Sequence, residues 1–454
     1  MSTKHSKAAA EFLKNKKQAA WHDETLWLVR AKRDRLSKEV PEWEELRNMA
    51  CATKLYSNSH LDELLVEFEN NARANGAHVY WAKDADEYCN IVYNILNQHG
   101  VKHFIKSKSM LAEECELNPF LESKGIEVVE SDLGERILQL MHLKPSHIVL
   151  PAIHIKREQV GELFEREMGT EKGNFDPTYL THAARKNLRQ KFIHAEVAMT
   201  GANFAVASTG EIVVCTNEGN ADMGTSQPKL QIAAFGMEKI VPDRESLGVF
   251  TRLLARSATG QPITTYTSHY RKPREGGELH IIIVDNGRSK ILADPKHIKT
   301  LNCIRCGACM NTCPVYRRSG GYSYTYFIPA IGINLGMLKA PLHYYDNVSA
   351  CSLCYSCSFV CPAKVDLAEQ IYLWRQDLDK LGKADRMKKV MSGGMEFMMN
   401  RPSIFNMALK WAPLVNGVPR FLIYNGLNDW GKGREMPKFA KESFNEMWKK
   451  GKVK

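Results

Sequence analysis

Eight of the chain's twelve cysteines stand in two blocks of one design. The first, CIRCGACMNTCP, sets Cys303, Cys306, Cys309 and Cys313 ahead of Pro314; the second, CSLCYSCSFVCP, sets Cys351, Cys354, Cys357 and Cys361 ahead of Pro362. Each cysteine recurs 48 residues on, which is an internal duplication. Disulfides fit poorly, because cytosolic thiols are kept reduced. Zinc sites typically pair C-x₂-C knuckles a dozen or more residues apart. Here three cysteines follow at three-residue steps, so one loop can wrap its thiolates around a compact cubane. A fourth cysteine followed by proline completes the bacterial 4Fe–4S run C-x₂-C-x₂-C-x₃-C-P. The proline fixes φ and removes an N–H, turning the chain away from the cluster. Gly307, Ala308, Ser352 and Ser356 let backbone N–H groups approach the sulfurs. In two-cluster ferredoxins the last cysteine of each run ligates the other cluster. Cluster one is therefore assigned Cys303, Cys306, Cys309 and Cys361, and cluster two Cys351, Cys354, Cys357 and Cys313. Two 4Fe–4S clusters cross-wired in this way stay close enough to relay single electrons.

Cys51, Cys89, Cys115 and Cys215 stand alone and read as small core residues. The HAE at His194–Glu196 matches half of a zinc-deaminase signature, but the P-C-x-x-C half is missing and the match is set aside.

About 300 residues must position this wire. SHLDELLVEFENNARANG predicts a helix with Leu61, Leu64, Leu65 and Phe68 on one face, a capping box at Ser59 and a stop at Gly76. AHVYWA reads as a strand and DADEYCNIVYNILNQHG as a helix. HFIK, GIEVVE and HIVLP are further short apolar runs separated by helical segments. Such alternation predicts a parallel sheet with helices on both faces. From residue 204 the pattern changes to a hairpin turning at Thr209-Gly210, followed by QIAAFG, PITTYTS and LHIIIVDN as strands. The organisation expected is a helical region over 1–76, an α/β domain over 77–295, a two-cluster ferredoxin domain over 296–385 and a basic helical extension over 386–454.

The α/β region carries no GxGxxG, Walker A, HExxH or GxSxG. Its candidate chemistry lies in KSKSM (Lys106–Met110), ESDLGE (Glu130–Glu135), PSHIVLPAIH (Pro145–His154) and TNEGNADMG (Thr216–Gly224). Lysines and serines at a helix start suit an anion such as a carboxylate. His147 and His154, flanking the HIVLP run, read as structural histidines.

With 454 residues, two or three domains are expected. No apolar leader follows the start, and no window approaches 18 uninterrupted apolar residues, so a cytoplasmic protein with at most peripheral membrane contact is expected. The net charge of +11 is uneven: from Ala363 onward 18 Lys/Arg face 10 Asp/Glu. No nucleic-acid motif accompanies this tail, which reads as a solvated helical surface.

The phrases KSKSM, ESDLGE, PSHIVLPAIH, TGANFAVASTGEIVVCTNEGN and SATGQPITTYTS, with the paired cysteine blocks and CPVYRRSGGY, resemble the iron–sulfur subunit of the bacterial three-component lactate-utilisation system. The resemblance runs from VPEWEELR at residue 40 into the C-terminal helices. It implies a lactate-utilisation (LUD) domain of the ribose-5-phosphate isomerase and CoA-transferase type over 77–295, and a two-cluster ferredoxin module of α-helical type over 296–385. The activity implied is NAD-independent oxidation of L-lactate to pyruvate. The partners implied are a cysteine-rich-domain subunit and a shorter lactate-utilisation-domain protein, with a quinone-linked acceptor downstream. Two places depart from the family pattern: GNAD at Gly219–Asp222 stands where GNGR is usual, and Gln231 stands where a histidine is usual. No residue is assigned to catalysis. The alternatives are a carrier for another 2-hydroxy acid such as glycolate, and a CoA-transferase- or isomerase-like ligand-binding redox sensor.

The aromatic segment between the cysteine blocks, with its tyrosines and Phe327, is expected to shield the clusters from water, which tunes their potential. Leu367, Ile371, Trp374, Leu378 and Leu381 form one helical stripe, expected to dock on the cluster module. VMSGGMEFMMNRP suits irregular packing or an interface, and KKGKVK a frayed basic end.

Overall fold

The computed structural model describes residues 4–324, 328–382, 386–424 and 437–453. Tyr326 and Phe327 of the aromatic segment and Lys454 of the basic end lie outside the described residues. The chain divides into two compact units, Met1–Asp377 and Leu378–Lys454.

The first unit is built on ten strands: β1 (His78–Ala82), β2 (His103–Lys106), β3 (Glu127–Glu130), β4 (Val197–Gly201), β5 (Phe204–Val206), β6 (Glu211–Thr216), β7 (Leu230–Gly236), β8 (Ile240–Val241), β9 (Tyr266–Tyr270) and β10 (Glu278–Val284). Six form a parallel sheet in the order β1-β10-β7-β4-β2-β3. Covered on both faces, its central strands are near-continuous apolar runs such as LHIIIV. Alternate residues part to opposite faces: Ile282, Val284, Ile232, Ala234 and Met199 pack against the helices Ala85–Gln98 and Leu117–Ser123. Ile281, Ile283, Ala233 and Phe235 face the other way. There they meet Leu61, Leu64, Leu65 and Phe68 of an N-terminal helix. Ile283 is fully buried, so truncating it to alanine costs about 2–5 kcal/mol.

The other four strands form a second sheet in the order β8-β5-β6-β9, with β5 and β6 antiparallel in the register Phe204↔Val213. The hairpin turns through Gly210 at φ +67°. A Cβ there would strike the backbone of Asn71 and Ala72, so only glycine lets the turn close on its neighbouring helix.

Four helices precede the sheet: α1 (Lys4–Lys14), α2 (Lys16–Lys38), α3 (Trp43–Ser59) and α4 (Leu61–Ala74). The apolar face expected of α4 is the face it buries, and Gly76 ends the segment at φ +91°. The expected cap differs. Ser59 closes α3, donating its hydroxyl to Tyr56 O at 2.9 Å, and His60 stands at the start of α4. α4 thus lies on the sheet, whereas α2 and α3 reach the cysteine blocks. Arg33 donates to Val360 O at 3.1 Å, and Arg47 to Cys361 O at 3.1 Å and Phe359 O at 2.9 Å.

Two further expectations are corrected. HIVLP forms turns, not a strand, and the two histidines therefore flank a turn segment. Its backbone finds its partners locally, with His147 Nδ1 accepting from Val149 N and Leu150 N, so no ladder is available to it. In PITTYTS the strand begins only at Tyr266.

The helix Leu367–Lys380 carries the stripe. Leu367, Ile371 and Trp374 are buried, and Trp374 stacks on His297 with ring centroids 4.0 Å apart. Leu381 is exposed. In the second unit, Met391, Met395, Phe397 and Met399 of the methionine-rich segment are exposed, and Lys450 and Lys452 both pair with Glu442. Among the described residues no helix is long and apolar enough to cross a membrane.

Candidate iron–sulfur centre and adjoining cavity

The duplication is visible in backbone angles. In the first block Arg305 (φ 60°) and Gly307 (φ 77°) are left-handed; 48 residues on, Leu353 (φ 53°) and Tyr355 (φ 61°) are too. Short helices follow at the same offset, Ala308–Thr312 and Ser356–Val360. The left-handed residues curl each loop so that N–H groups point at sulfur. Arg305 N donates to Cys303 Sγ at 3.4 Å and its counterpart Leu353 N to Cys351 Sγ at 3.3 Å. Tyr316 N donates to Cys313 Sγ at 3.5 Å and Val365 N to Cys361 Sγ at 3.4 Å. Such bonds stabilise anionic sulfur and tune a cluster's potential.

The two short helices pack together, and the Thr312 and Ser356 hydroxyls meet between them. Cys361 thereby comes within electrostatic reach of Cys303, Cys306 and Cys309. Cys313 stands likewise against Cys351, Cys354 and Cys357. Cys357 also feels Cys309, so the two sets are neighbours. Among the described residues no three of these sulfurs lie within 4.8 Å of one another. A tetrahedral zinc ion would draw its ligands to about 3.8 Å apart. Burial and the neighbouring sulfurs push the thiols of Cys313 and Cys361 up to about 12. Thiols of this kind give up their protons to a metal that replaces them. Donor type, grouping and N–H···S bonds all fit 4Fe–4S clusters.

Tyr316 and Tyr324 are fully buried beside Cys313, and Tyr316 donates to Ser146 O at 2.6 Å. Both belong to the aromatic segment expected to shield the clusters. Positive charge gathers at the first set, where Lys54 and Lys239 face Cys303 and Arg33 faces Cys306.

Against the first set opens a cavity of about 390 Å³. All four polar stretches singled out in the sequence reach it, through Ser107 and Lys108, Asp132, Val149, and Asn217 and Asn220. Cys306 forms part of its wall. His147 and His154 are buried outside the lining. His147 Nε2–H donates to Asn311 Oδ1 at 2.9 Å, tying the turn segment to the first cysteine helix, and burial lowers the ring to about 3. His154 is bonded by Ser146 at 2.5 Å and Tyr322 at 2.9 Å, and burial lowers it to about 4. Both are structural.

At the departures from the family pattern, Asn220 donates to Ser131 Oγ at 3.2 Å, Asp222 accepts from Ser268 at 2.5 Å and Tyr270 at 3.1 Å, and Gln231 is buried. Lining residues that the sequence did not single out include Glu114, Glu238, Lys239, Arg288 and Arg305. Gly236 stands beside them at the end of β7, and any Cβ there would collide with the Arg288–Glu238 pair.

A parallel α/β sheet carrying a polar cavity, joined to a duplicated cysteine module, defines a LUD domain followed by a 4Fe–4S dicluster domain; residues 65–291 match the first family and 299–365 the second. The chain is 40% identical to "Lactate utilization protein B" of Bacillus pumilus, over 91% of this chain and 90% of that one. It is 41% identical to the protein of that name from Geobacillus thermodenitrificans, over 83% and 81%. It is 36% identical to "Uncharacterized electron transport protein YkgF" of Escherichia coli, over 93% and 91%. The chain belongs to the lactate utilization protein B family.

Proposed function

We propose that this protein is the iron–sulfur electron-transfer subunit of an NAD-independent complex oxidising L-lactate to pyruvate, with two 4Fe–4S clusters. Cluster one is held by Cys303, Cys306, Cys309 and Cys361, and cluster two by Cys351, Cys354, Cys357 and Cys313. The observation that carries this reading is the pair of neighbouring cysteine sets, each with one member supplied by the other block. The names of the relatives support the substrate. Oxidation of lactate releases two electrons and two protons, and each cluster, when bound, takes up one electron. This chain's residues hold the two sets side by side, point N–H groups at the sulfurs and keep water away with Tyr316 and Tyr324. A cysteine-rich-domain subunit and a shorter lactate-utilisation-domain protein complete the complex, which works in the cytoplasm and passes electrons toward a quinone-linked acceptor.

The test is EPR spectroscopy of the anaerobic protein combined with those two partners. L-Lactate is expected to bring up reduced-cluster signals, and glycolate is not. Clusters that respond to dithionite but never to lactate, whatever the partners, would end the substrate assignment.

A further inference from the structure

The cavity beside the first cysteine set is lined by one ammonium that no hydrogen bond or ion pair holds. Of its lining charges, Arg288 is paired with Glu238 at 2.5 Å and Glu114 at 3.1 Å, and Arg305 lies 3.7–3.8 Å from the same two carboxylates. Those four charges cancel. Lys108 donates to Val149 O at 3.1 Å, while Asp132 and Glu218 accept from the backbone N–H groups of Glu135 and Leu133. Lys54, behind the cavity, is spent on Glu238 O and Ile240 O. Lys239 is different. It is 9% exposed and lines the cavity, and its ammonium makes no hydrogen bond or ion pair among the described residues. Two further groups of the lining lack partners: the hydroxyls of Ser107, itself 5% exposed, and of Thr216. A buried cation and two buried hydroxyls without partners each carry a desolvation cost that a ligand can offset.

From these groups we infer that the cavity is a binding site on this chain for a small 2-hydroxy or 2-oxo carboxylate, its carboxylate on Lys239 and its second oxygen among the hydroxyls of Ser107 and Thr216. The unpartnered ammonium matches a monoanion, and the hydroxyls match the neighbouring oxygen. A volume of about 390 Å³ admits such an acid with accompanying water. Because Cys306 walls the same space, the acid lies against the first cysteine set. The choice of L-lactate and pyruvate as probes rests on the function proposed above; the site itself rests on the unpartnered groups.

The experiment is calorimetric titration of the cluster-loaded full chain, alone and under argon, with L-lactate, pyruvate and inorganic phosphate. Saturable binding of either acid is expected. It should weaken about tenfold or more in K239M, severalfold in S107A, and stay within about threefold in K239R. Iron content and EPR spectra, unchanged across the variants, separate loss of the site from loss of the fold. Absence of binding by the intact chain, equal binding by K239M, or binding of phosphate in preference to both acids would overturn the inference. The two readings fail separately. If lactate reduces the assembled complex while the lone chain binds neither acid, the electron-carrier function stands and this site falls. If the lone chain binds pyruvate through Lys239 while the complex ignores lactate, the site stands and the substrate assignment falls.

Discussion

At the scale of single residues, the two cysteines that end the blocks carry the most information. Cys361 follows the second block in sequence but sits with Cys303, Cys306 and Cys309 in space, and Cys313 makes the reverse exchange. The variants C361S and C303S are expected to lose the same cluster, and C313S and C351S the other. Each should drop the iron content by about half, from roughly eight to four atoms per chain. Iron analysis with EPR checks this; C361S sharing its spectrum with C351S would refute the exchange. These eight residues were legible because thiolate chemistry and spacing suffice to mark them. Lys239 was not legible. A lone lysine after a strand has no motif, and what distinguishes it is that Arg288, Glu238 and Glu114 pair with one another and leave it out.

At the scale of elements, the duplicated loops make an asymmetric prediction. Gly307 and Tyr355 occupy equivalent left-handed positions, but only Gly307 is crowded: a Cβ there would stand 2.9 Å from Val149 Cγ2. The variant G307A should lose about 1–3 kcal/mol and load cluster one poorly. The variant Y355G, which removes left-handed strain from an exposed side chain, should stay within about 1 kcal/mol of the parent. Thermal melts and iron loading of the two variants read the difference. The parallel strands and the hairpin at Gly210 were legible from apolar runs and turn chemistry. HIVLP was not, because its apolar residues are buried against the cysteine module and not in a sheet: Ile148 lines the small pocket around Cys303, Cys306 and Cys309. Nothing local in the sequence distinguishes those two kinds of burial. The cap at Ser59 was misplaced for a related reason, since α3 runs up to the point where α4 begins.

At the scale of the whole molecule, the first unit is tied together by buried neutral histidines. His5, His22, His147, His154, His280 and His297 are all lowered by burial, His147 to about 3 and His154 to about 4. The unfolded chain protonates such rings below about pH 6.5, whereas the folded chain does so only at lower pH. Their contribution is therefore complete above pH 6.5 and is lost as the pH falls toward the folded values. His147 and His154, held neutral, each cost about 1.4 kcal/mol of stability per pH unit from 6.5 down toward their folded values. Melts of the cluster-loaded protein from pH 7.5 to 5.5 should show a steep fall, and H154Q should flatten it by about one proton. A flat profile would contradict this account of the core. The joining of sheet, N-terminal helices and cysteine module through such groups could not be read from sequence, because His22 and Arg317 O, 2.9 Å apart, are 295 residues distant along the chain.

Two 4Fe–4S clusters on one chain must stand near enough to pass electrons between them. The most direct measurement is EPR of the anaerobically purified full chain, reduced stepwise with dithionite, alongside its iron content. Roughly eight iron atoms per chain are expected and, on full reduction, a spectrum broadened by coupling between two neighbouring spins. About four iron atoms with one isolated signal, or two signals showing no interaction, would contradict this.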